Sequence, residues 1–443
     1  MERTLIKNLK DQINSEVLIK GWVDVRRDHG KLIFIDLRDA TGLVQMVALP
    51  NNEGVVESAS KVRSEYVIEV KGKVNARPEK MVKEGVLNGE LEIEILELNV
   101  LSEAHELPFD SETDLNMDTK LDYRPLTLRS KKDRAIFKVQ AEIVKSFRNF
   151  LDSQNFTEFQ APKLVGGDAE GGAEVFKVDY FKNHDAYLAT SPQLYKQILA
   201  GVYEKVFTVG NVYRAEKHST SRHINEYTSL DFELGFIKDH TDVMKVLNDL
   251  LVSMVDDLKT NVSTEFKLLE AEFPETPKEF PSMKLREVQE LIKKETGEDS
   301  TNAPDLEPAQ ERWLCEYAKK EFNSDFIFVT HYPVEKRPMY TYEDEEDRGF
   351  TKSFDLLFNG IEIVSGGQRN HDYNVLVQKI KDKGLDPESF SFYLQAFKYG
   401  MPAHGGIGMG LERLTAKFLG LDNVKEATLF PRDLNRIDTL LSK

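Results

Sequence analysis

One cysteine in 443 residues, Cys315, excludes an internal disulfide and any Cys-rich zinc site, and its helical-looking surroundings read as a buried structural thiol. No segment approaches the ~20 consecutive apolar residues of a membrane span. Residues 1–7 lack the apolar stretch of a signal peptide, so a cytoplasmic protein with no membrane association is expected. Positive charge is in deficit: 59 Lys+Arg stand against 76 Asp+Glu, a net charge of -17 that argues against non-specific coating of nucleic acid but leaves room for a local basic patch. The two common nucleotide fingerprints are absent, since no G-x-x-x-x-G-K-[ST] occurs and the densest glycine run contains no G-x-G-x-x-G.

What is present is ordinary for a globular chain, 40% hydrophobic and 30% charged, and its length calls for two or three units. Residues 17–23, 31–37, 43–48, 66–72 and 91–95 alternate apolar and polar and are separated by turn formers. Five short strands in a hundred residues suggest a small barrel of the oligonucleotide-binding (OB) type over residues 1–103. A polar stretch over 104–125 reads as a hinge. From Asp133, Ile136, Val139, Ile143, Val144, Phe147, Phe150 and Leu151 recur at helical spacing and open a second domain, 126–443. Its strand-like runs are mixed irregularly with helices, which favours an α+β fold with an antiparallel sheet.

Four segments of that domain carry chemistry. Gly405-Gly406-Ile407-Gly408-Met409-Gly410 runs into Leu411-Glu412-Arg413, a stretch where backbone can approach a polyphosphate and an arginine can grip it. Tyr213-Arg214-Ala215-Glu216 leads through a polar loop holding Arg222, His223 and Ile224 to Tyr227 and Asp231-Phe232-Glu233, concentrating positive charge suited to anions. Asp355 and Glu362 flank an Asn359-Gly360 hairpin turn with Ser365 nearby, oxygen ligands that suit Mg²⁺. The fourth is Ser191-Pro192-Gln193-Leu194-Tyr195-Lys196-Gln197. Taken singly, each has an ordinary structural explanation: a glycine hinge, a charged hairpin, a solvated hairpin, a surface lysine.

Together, with Phe156-Thr157-Glu158-Phe159-Gln160-Ala161-Pro162 ahead of them, they resemble the three ordered motifs of the class II aminoacyl-tRNA synthetases. The barrel and the tail Leu429-Phe430-Pro431-Arg432-Asp433 are similar to the subclass (IIb) that charges Asp, Asn and Lys. Ser191 to Gln197 and Gly366-Gly367-Gln368-Arg369 look most like its aspartate-handling members, in the short archaeal and eukaryotic form. The resemblance implies a homodimeric ligase that uses ATP and Mg²⁺ to activate L-aspartate and passes it to tRNA(Asp), with tRNA(Asn) open as a second acceptor. It implies that Arg214 and Arg413 are catalytic. Aspartate would be held by Glu170, Gln193, Lys196, Arg214, Asp231, Ser365 and Arg369. ATP would be held by Arg214, Glu216, Arg222, His223, Ile224, Tyr227, Glu362, Gly410, Leu411, Glu412 and Arg413. Glu362 and Ser365, with Asp355, would hold Mg²⁺. In the barrel, Phe34 and Gln45 match positions that read an anticodon base, with Arg26, Arg27 and Lys31 as the basic patch. The expected basis of choice is that Lys196 and Arg369 are two cations lacking a counter-anion when the side chain is an amide. An amino-acid-only ligase and a non-catalytic RNA-binding paralogue stand as the alternatives.

Overall fold

The computed structural model describes residues 1–30, 32–83, 88–109, 113–169, 174–217 and 220–438. It divides into two compact units, Met1–Thr113 and Asp114–Lys443.

In the first unit, strands β1 (Glu16–Asp28), β2 (Ile33–Arg38), β3 (Leu43–Ala48), β4 (Val67–Ala76) and β5 (Leu91–Ser102) close a barrel in the order β1-β2-β3-β5-β4. The period of two decides which side chains fill it: Ile33, Ile35 and Leu37 of β2 are at most 2% exposed, whereas Phe34 and Asp36 face outward. Phe34 is therefore not a core aromatic. The helix Glu53–Lys61, capped by the Asn52 side chain on the Val55 amide, tucks Val55 and Ala59 into the same core. Lys31 lies outside the described residues.

The stretch expected as a hinge holds two short helices, Met117–Asp122 and Arg124–Thr127. The second is fastened to its own unit, because the buried Arg124 pairs with Asp133 at 2.8 Å and donates to the Thr428 and Leu429 carbonyls.

The second unit is built on strands β6 (Thr157–Glu158), β10 (Lys205–Tyr213), β11 (Glu226–Gly235), β12 (Ser282–Lys284), β13 (Phe326–Thr330), β14 (Ser353–Phe358), β15 (Ile361–Arg369) and β16 (His404–Gly410). They form one sheet in the order β12-β13-β14-β15-β16-β11-β10-β6, antiparallel except for the two edge pairs. A small sheet of β7 (Leu164–Val165), β8 (Lys177–Asp179) and β9 (Asp185–Leu188) stands apart from it. The helix Lys131–Ser153 starts at a Ser130 cap and buries Ile136, Val139, Ile143, Phe147 and Leu151 in one core with the helix His240–Asn261 and one face of the sheet. Leu230, Phe232 and Leu234 of β11, Ile407 and Met409 of β16, and Phe354 and Leu356 of β14 all enter that core. Alternation then obliges Ser229, Asp231, Glu233, Gly406, Gly408, Gly410 and Asp355 to point to the opposite face. That opposite face carries the site.

Candidate active site

The glycine run is a central strand, paired with β11 on one side and β15 on the other. Gly406, Gly408 and Gly410 stand directly across from Glu233, Asp231 and Ser229. A Cβ on Gly406 would lie 2.1 Å from both Glu233 Oε2 and the Phe232 carbonyl oxygen, so only glycine leaves room for the buried Glu233 carboxylate. The glycines make the floor of a pocket of about 380 Å³, a volume suited to a small ligand. Among its walls are Gln193, Lys196, Arg214, Arg222, Tyr227, Glu362, Ser365, Arg369 and Arg413.

Two buried ion pairs occupy its inner end. Lys196 Nζ donates to Asp231 Oδ2 at 2.7 Å and to the Ile407 carbonyl at 2.8 Å, and lies 3.8 Å from Glu233 Oε2. Arg369 Nε donates to Glu233 Oε1 at 3.0 Å and its Nη2 to the Gly406 carbonyl at 2.9 Å. Burial alone would make the Arg369 cation harder to keep, yet Glu233, helped by Tyr340 and Tyr393, more than offsets it and holds its pKa above the ordinary arginine value. This corrects the expectation of two cations waiting for an anion: Asp231 and Glu233 already balance them. What remains is geometric. Lys196 has spent two of its donors on Asp231 and Ile407, and Arg369 Nη1 takes no hydrogen bond partner among the described residues, so each cation keeps a donor for a ligand. Asp231, expected against a substrate ammonium, is held by Lys196 and by the Ser229 hydroxyl. The side-chain nitrogen of Gln193, also buried in the wall, has no partner among the described residues. Glu170 lies outside the described residues.

A β-bulge makes the acidic corner. Asn359 and Gly360 both have positive φ, 46° and 79°, as a two-residue hairpin turn requires. Beyond Leu357↔Glu362 the register slips, so that Asp355 pairs with Ser365 instead of Val364. Without that extra residue Glu362 and Ser365, three apart, would face opposite sides; with it both line the pocket, on the face that Asp355 shares. Burial, and then the neighbouring Asp355, push the Glu362 carboxyl well above the carboxylate range. Asp355 Oδ1 is buried with no hydrogen-bond partner among the described residues. The Glu362 carboxylate and the Ser365 hydroxyl, side by side in the pocket wall, are oxygen ligands that fit a hard cation. Among the described residues no three acidic, His or Cys side chains cluster as a metal cage, so phosphate oxygens would have to complete a coordination shell.

Arg214 and Glu216 sit on the loop just beyond the end of β10, so loop geometry and not strand alternation aims them. The Asn225 side chain fixes that loop by donating to the Arg214 and Glu216 carbonyls at 2.7 and 3.1 Å. The Arg214 guanidinium stands 5.8 Å from the Tyr227 ring. His223 is anchored by the Thr220 hydroxyl at 2.6 Å, and the buried Ile224 lies beside it in the wall. Arg222 approaches Glu311 at 3.8 Å. Arg413 opens the helix Leu411–Phe418 and donates to the Glu362 carbonyl at 3.1 Å. Glu412 turns inward, accepting from the Thr228 amide at 3.0 Å, and burial raises its pKa to about 7, while Leu411 packs in the core. Cys315 is buried and its thiol pushed up to about 11, which leaves it unreactive at neutral pH.

The sequence reading omitted Arg337. It follows a short turn, Val334–Lys336, and reaches both Asp355 and Ser365. Its only local signal was a basic pair before Pro338, in a loop with no motif to place it.

On the barrel, Arg27, Phe34 and Gln45 gather on one outer patch. Arg27 forks onto Asp36 at 2.7 and 2.8 Å, Gln45 bridges Glu92 at 2.6 Å and Arg27 at 3.3 Å, and Phe34 meets His29 edge-on at 5.6 Å. Arg26 does not join them; it donates to the Ser60 carbonyl.

A closed five-stranded barrel and an antiparallel-based α+β sheet with a cation-lined pocket at its glycine strand define a class, and the family comparisons agree. The model of class II tRNA synthetases (D, K and N) matches residues 116–434, and that of the OB-fold nucleic acid binding domain matches residues 17–101. The chain belongs to the class II tRNA synthetases and is a ligase of that family. Its relatives are narrower. It is 46% identical to aspartate–tRNA(Asp/Asn) ligase of Thermus thermophilus, over 98% of this chain and 99% of that one. It is 38% identical to aspartate–tRNA(Asp) ligase of Pyrococcus abyssi, over 97% and 98%. Among solved structures it resembles asparaginyl-tRNA synthetase from Pyrococcus horikoshii complexed with asparaginyl-adenylate, with a TM-score of 0.90 at 32% identity over 99% of both chains.

Proposed function

We propose that this ligase activates L-aspartate with ATP and transfers it to tRNA(Asp) and also to tRNA(Asn). The observation that carries the amino-acid assignment is the pair of buried cations in the pocket wall, Lys196 and Arg369, each with donors unspent among the described residues. A side-chain carboxylate accepts from both. An asparagine amide accepts from one and sets its own N–H against the other, a lost bond plus an unsatisfied buried donor, so aspartate is preferred by about 2–4 kcal/mol. The wider acceptor range is supported by the relatives named for both tRNAs, at 46% and 45% identity.

Joining a carboxylate to a triphosphate brings anions together, so the residues must offset repulsion where negative charge grows. Arg214 would hold the aspartate α-carboxylate against the α-phosphate, with Gln193 and Asp231 orienting the amino acid. Tyr227 offers a face for adenine, Glu216 and Ile224 its edge, and Gly410 with Leu411 and Glu412 the backbone along the nucleoside. Arg222, His223 and Arg413 meet the terminal phosphates. Glu362 and Ser365, with Asp355 behind them, would hold Mg²⁺, which when bound supplies charge to the phosphates. The substrate carboxylate is itself the nucleophile, pyrophosphate leaves, and the terminal tRNA hydroxyl then takes the aspartyl group. Phe34, Gln45 and Arg27 serve the anticodon. We further propose a cytoplasmic homodimer joined around Pro162, where Leu164 is half-exposed.

The test is ATP–pyrophosphate exchange with Asp, Asn and Lys, followed by charging of tRNA(Asp) and tRNA(Asn) transcripts. Exchange with aspartate alone and charging of both transcripts are expected. Absence of aspartate-dependent exchange defeats the assignment, and failure to charge tRNA(Asn) restricts it to tRNA(Asp).

A further inference from the structure

Arg337 is fixed from three sides. Its Nη2 donates to Asp355 Oδ2 at 2.7 Å, its Nη1 to the Ser365 hydroxyl at 3.1 Å, and its guanidinium carbon lies 3.9 Å from the centre of the Tyr332 ring. Its Nε is buried without a partner among the described residues. Asp355 is only 3% exposed, so this ion pair is well shielded from water. The Glu362 carboxylate, by contrast, takes no hydrogen bond from a described residue and lines the pocket. The acidic corner is therefore divided: Asp355 is buried outside the pocket wall and paired through Oδ2 with a cation of the protein itself, its Oδ1 unpartnered among the described residues, whereas Glu362 faces the pocket.

We propose that Arg337 is a positioning residue that keeps Asp355 out of direct metal coordination, leaving Glu362 and the remaining lone pair of Ser365 to receive one divalent cation together with the nucleotide. The inference rests on the assignment of Glu362 and Ser365 to Mg²⁺. Two uncompensated carboxylates on one face would attract a divalent ion without any nucleotide. With Arg337 paired to Asp355, at most one carboxylate of the corner is free to face a cation, too little to hold Mg²⁺ firmly until phosphate oxygens arrive. The same guanidinium orients the Ser365 hydroxyl: with a donor from Arg337 on one lone pair, its other lone pair is available to a cation.

The test uses Mn²⁺ as a paramagnetic probe for Mg²⁺, titrated by electron paramagnetic resonance into the full chain with and without a non-hydrolysable ATP analogue. Arg337→Met keeps an apolar stem on Tyr332 and removes the charge. It should bind Mn²⁺ at least tenfold more tightly than wild type without nucleotide. Arg337→Lys, which keeps the charge, should stay within about threefold of wild type. Asp355→Asn should bind Mn²⁺ with the ATP analogue within about threefold of wild type, because Asp355 is not a ligand. A tenfold loss in Asp355→Asn, or Mn²⁺ binding by Arg337→Met no tighter than wild type, overturns the proposal; should Arg337→Met not fold, Asp355→Asn decides alone. Aspartate-dependent exchange by the wild type is measured alongside, so that failure of the enzymatic assignment is seen separately from failure of this one.

Discussion

Removing Arg369 probes the stability of the inner pocket and its selectivity at once. Arg369→Met keeps an unbranched stem near Tyr340, whose ring centre is 5.4 Å from the guanidinium, and strips the donor from Glu233 Oε1. Glu233 is 0% exposed and its Oε2 already lacks a hydrogen bond, leaving, among the described residues, Lys196 at 3.8 Å to balance it. Taking one partner from a buried ion pair costs about 3–5 kcal/mol, and the lower end applies here because Lys196 remains. The ligand loses one charge-assisted hydrogen bond, about 2–3 kcal/mol, or roughly 30- to 150-fold in kcat/KM for aspartate. The two effects separate in Arg369→Met/Glu233→Gln. The second substitution removes the stranded charge and should return the urea midpoint most of the way to wild type, while aspartate-dependent exchange stays low and the KM for ATP moves less than about twofold in either variant. The reasoning is refuted if Arg369→Met unfolds at the wild-type urea concentration, or if the double variant activates aspartate normally.

Acid should weaken the fold between pH 6.5 and 4. Burial drives the folded-state pKa of both His240 and His404 down to about 4 from 6.5, so the unfolded chain takes up protons first as pH falls; each costs roughly 3 kcal/mol by pH 4. Urea unfolding at pH 7 and 4.5 measures it, and an unchanged midpoint would contradict the burial of these rings. Gly406→Ala should destabilise by at least about 2 kcal/mol, because its Cβ meets Glu233 and the Phe232 carbonyl at 2.1 Å; a wild-type melting curve would show that this strand is not packed as described. Phe34→Ala should raise the KM for tRNA roughly 10- to 100-fold with amino acid activation intact, as expected for a lost stacking platform; equal loss of exchange would mark it as structural instead.

Much of the architecture follows from short-range pattern. Alternation over residues 33–37 fixes which side of β2 is core, the helical period from Ile136 to Leu151 locates the long helix, and Asn359-Gly360 specifies a tight hairpin because both residues tolerate positive φ. Motif order was legible too, and with it the residues that the fold brings to one pocket from β11, β15, β16 and the helix Gln193–Tyr203. Arg26 lies on β1 as expected, but that its side chain turns to the Ser60 carbonyl depends on a segment 34 residues away, which no short-range pattern specifies.

The sequence by itself determined the elements, the two-unit plan and the inventory of charges, since these depend on neighbours three or four positions off and on ordered motifs. Tertiary structure alone decided how the charges are spent. Lys196 meets Asp231, Arg369 meets Glu233, and Arg337 meets Asp355 only after strands distant in sequence are set side by side. The bulge that turns Glu362 and Ser365 to one face exists only in the pairing of two strands. Ion pairing in a buried site is a matter of ångströms between long-range neighbours, and one chain read in order carries the charges but not the distances. The same holds for the glycine strand: its composition is local, but the reason Gly406 must be glycine is a carboxylate from another strand.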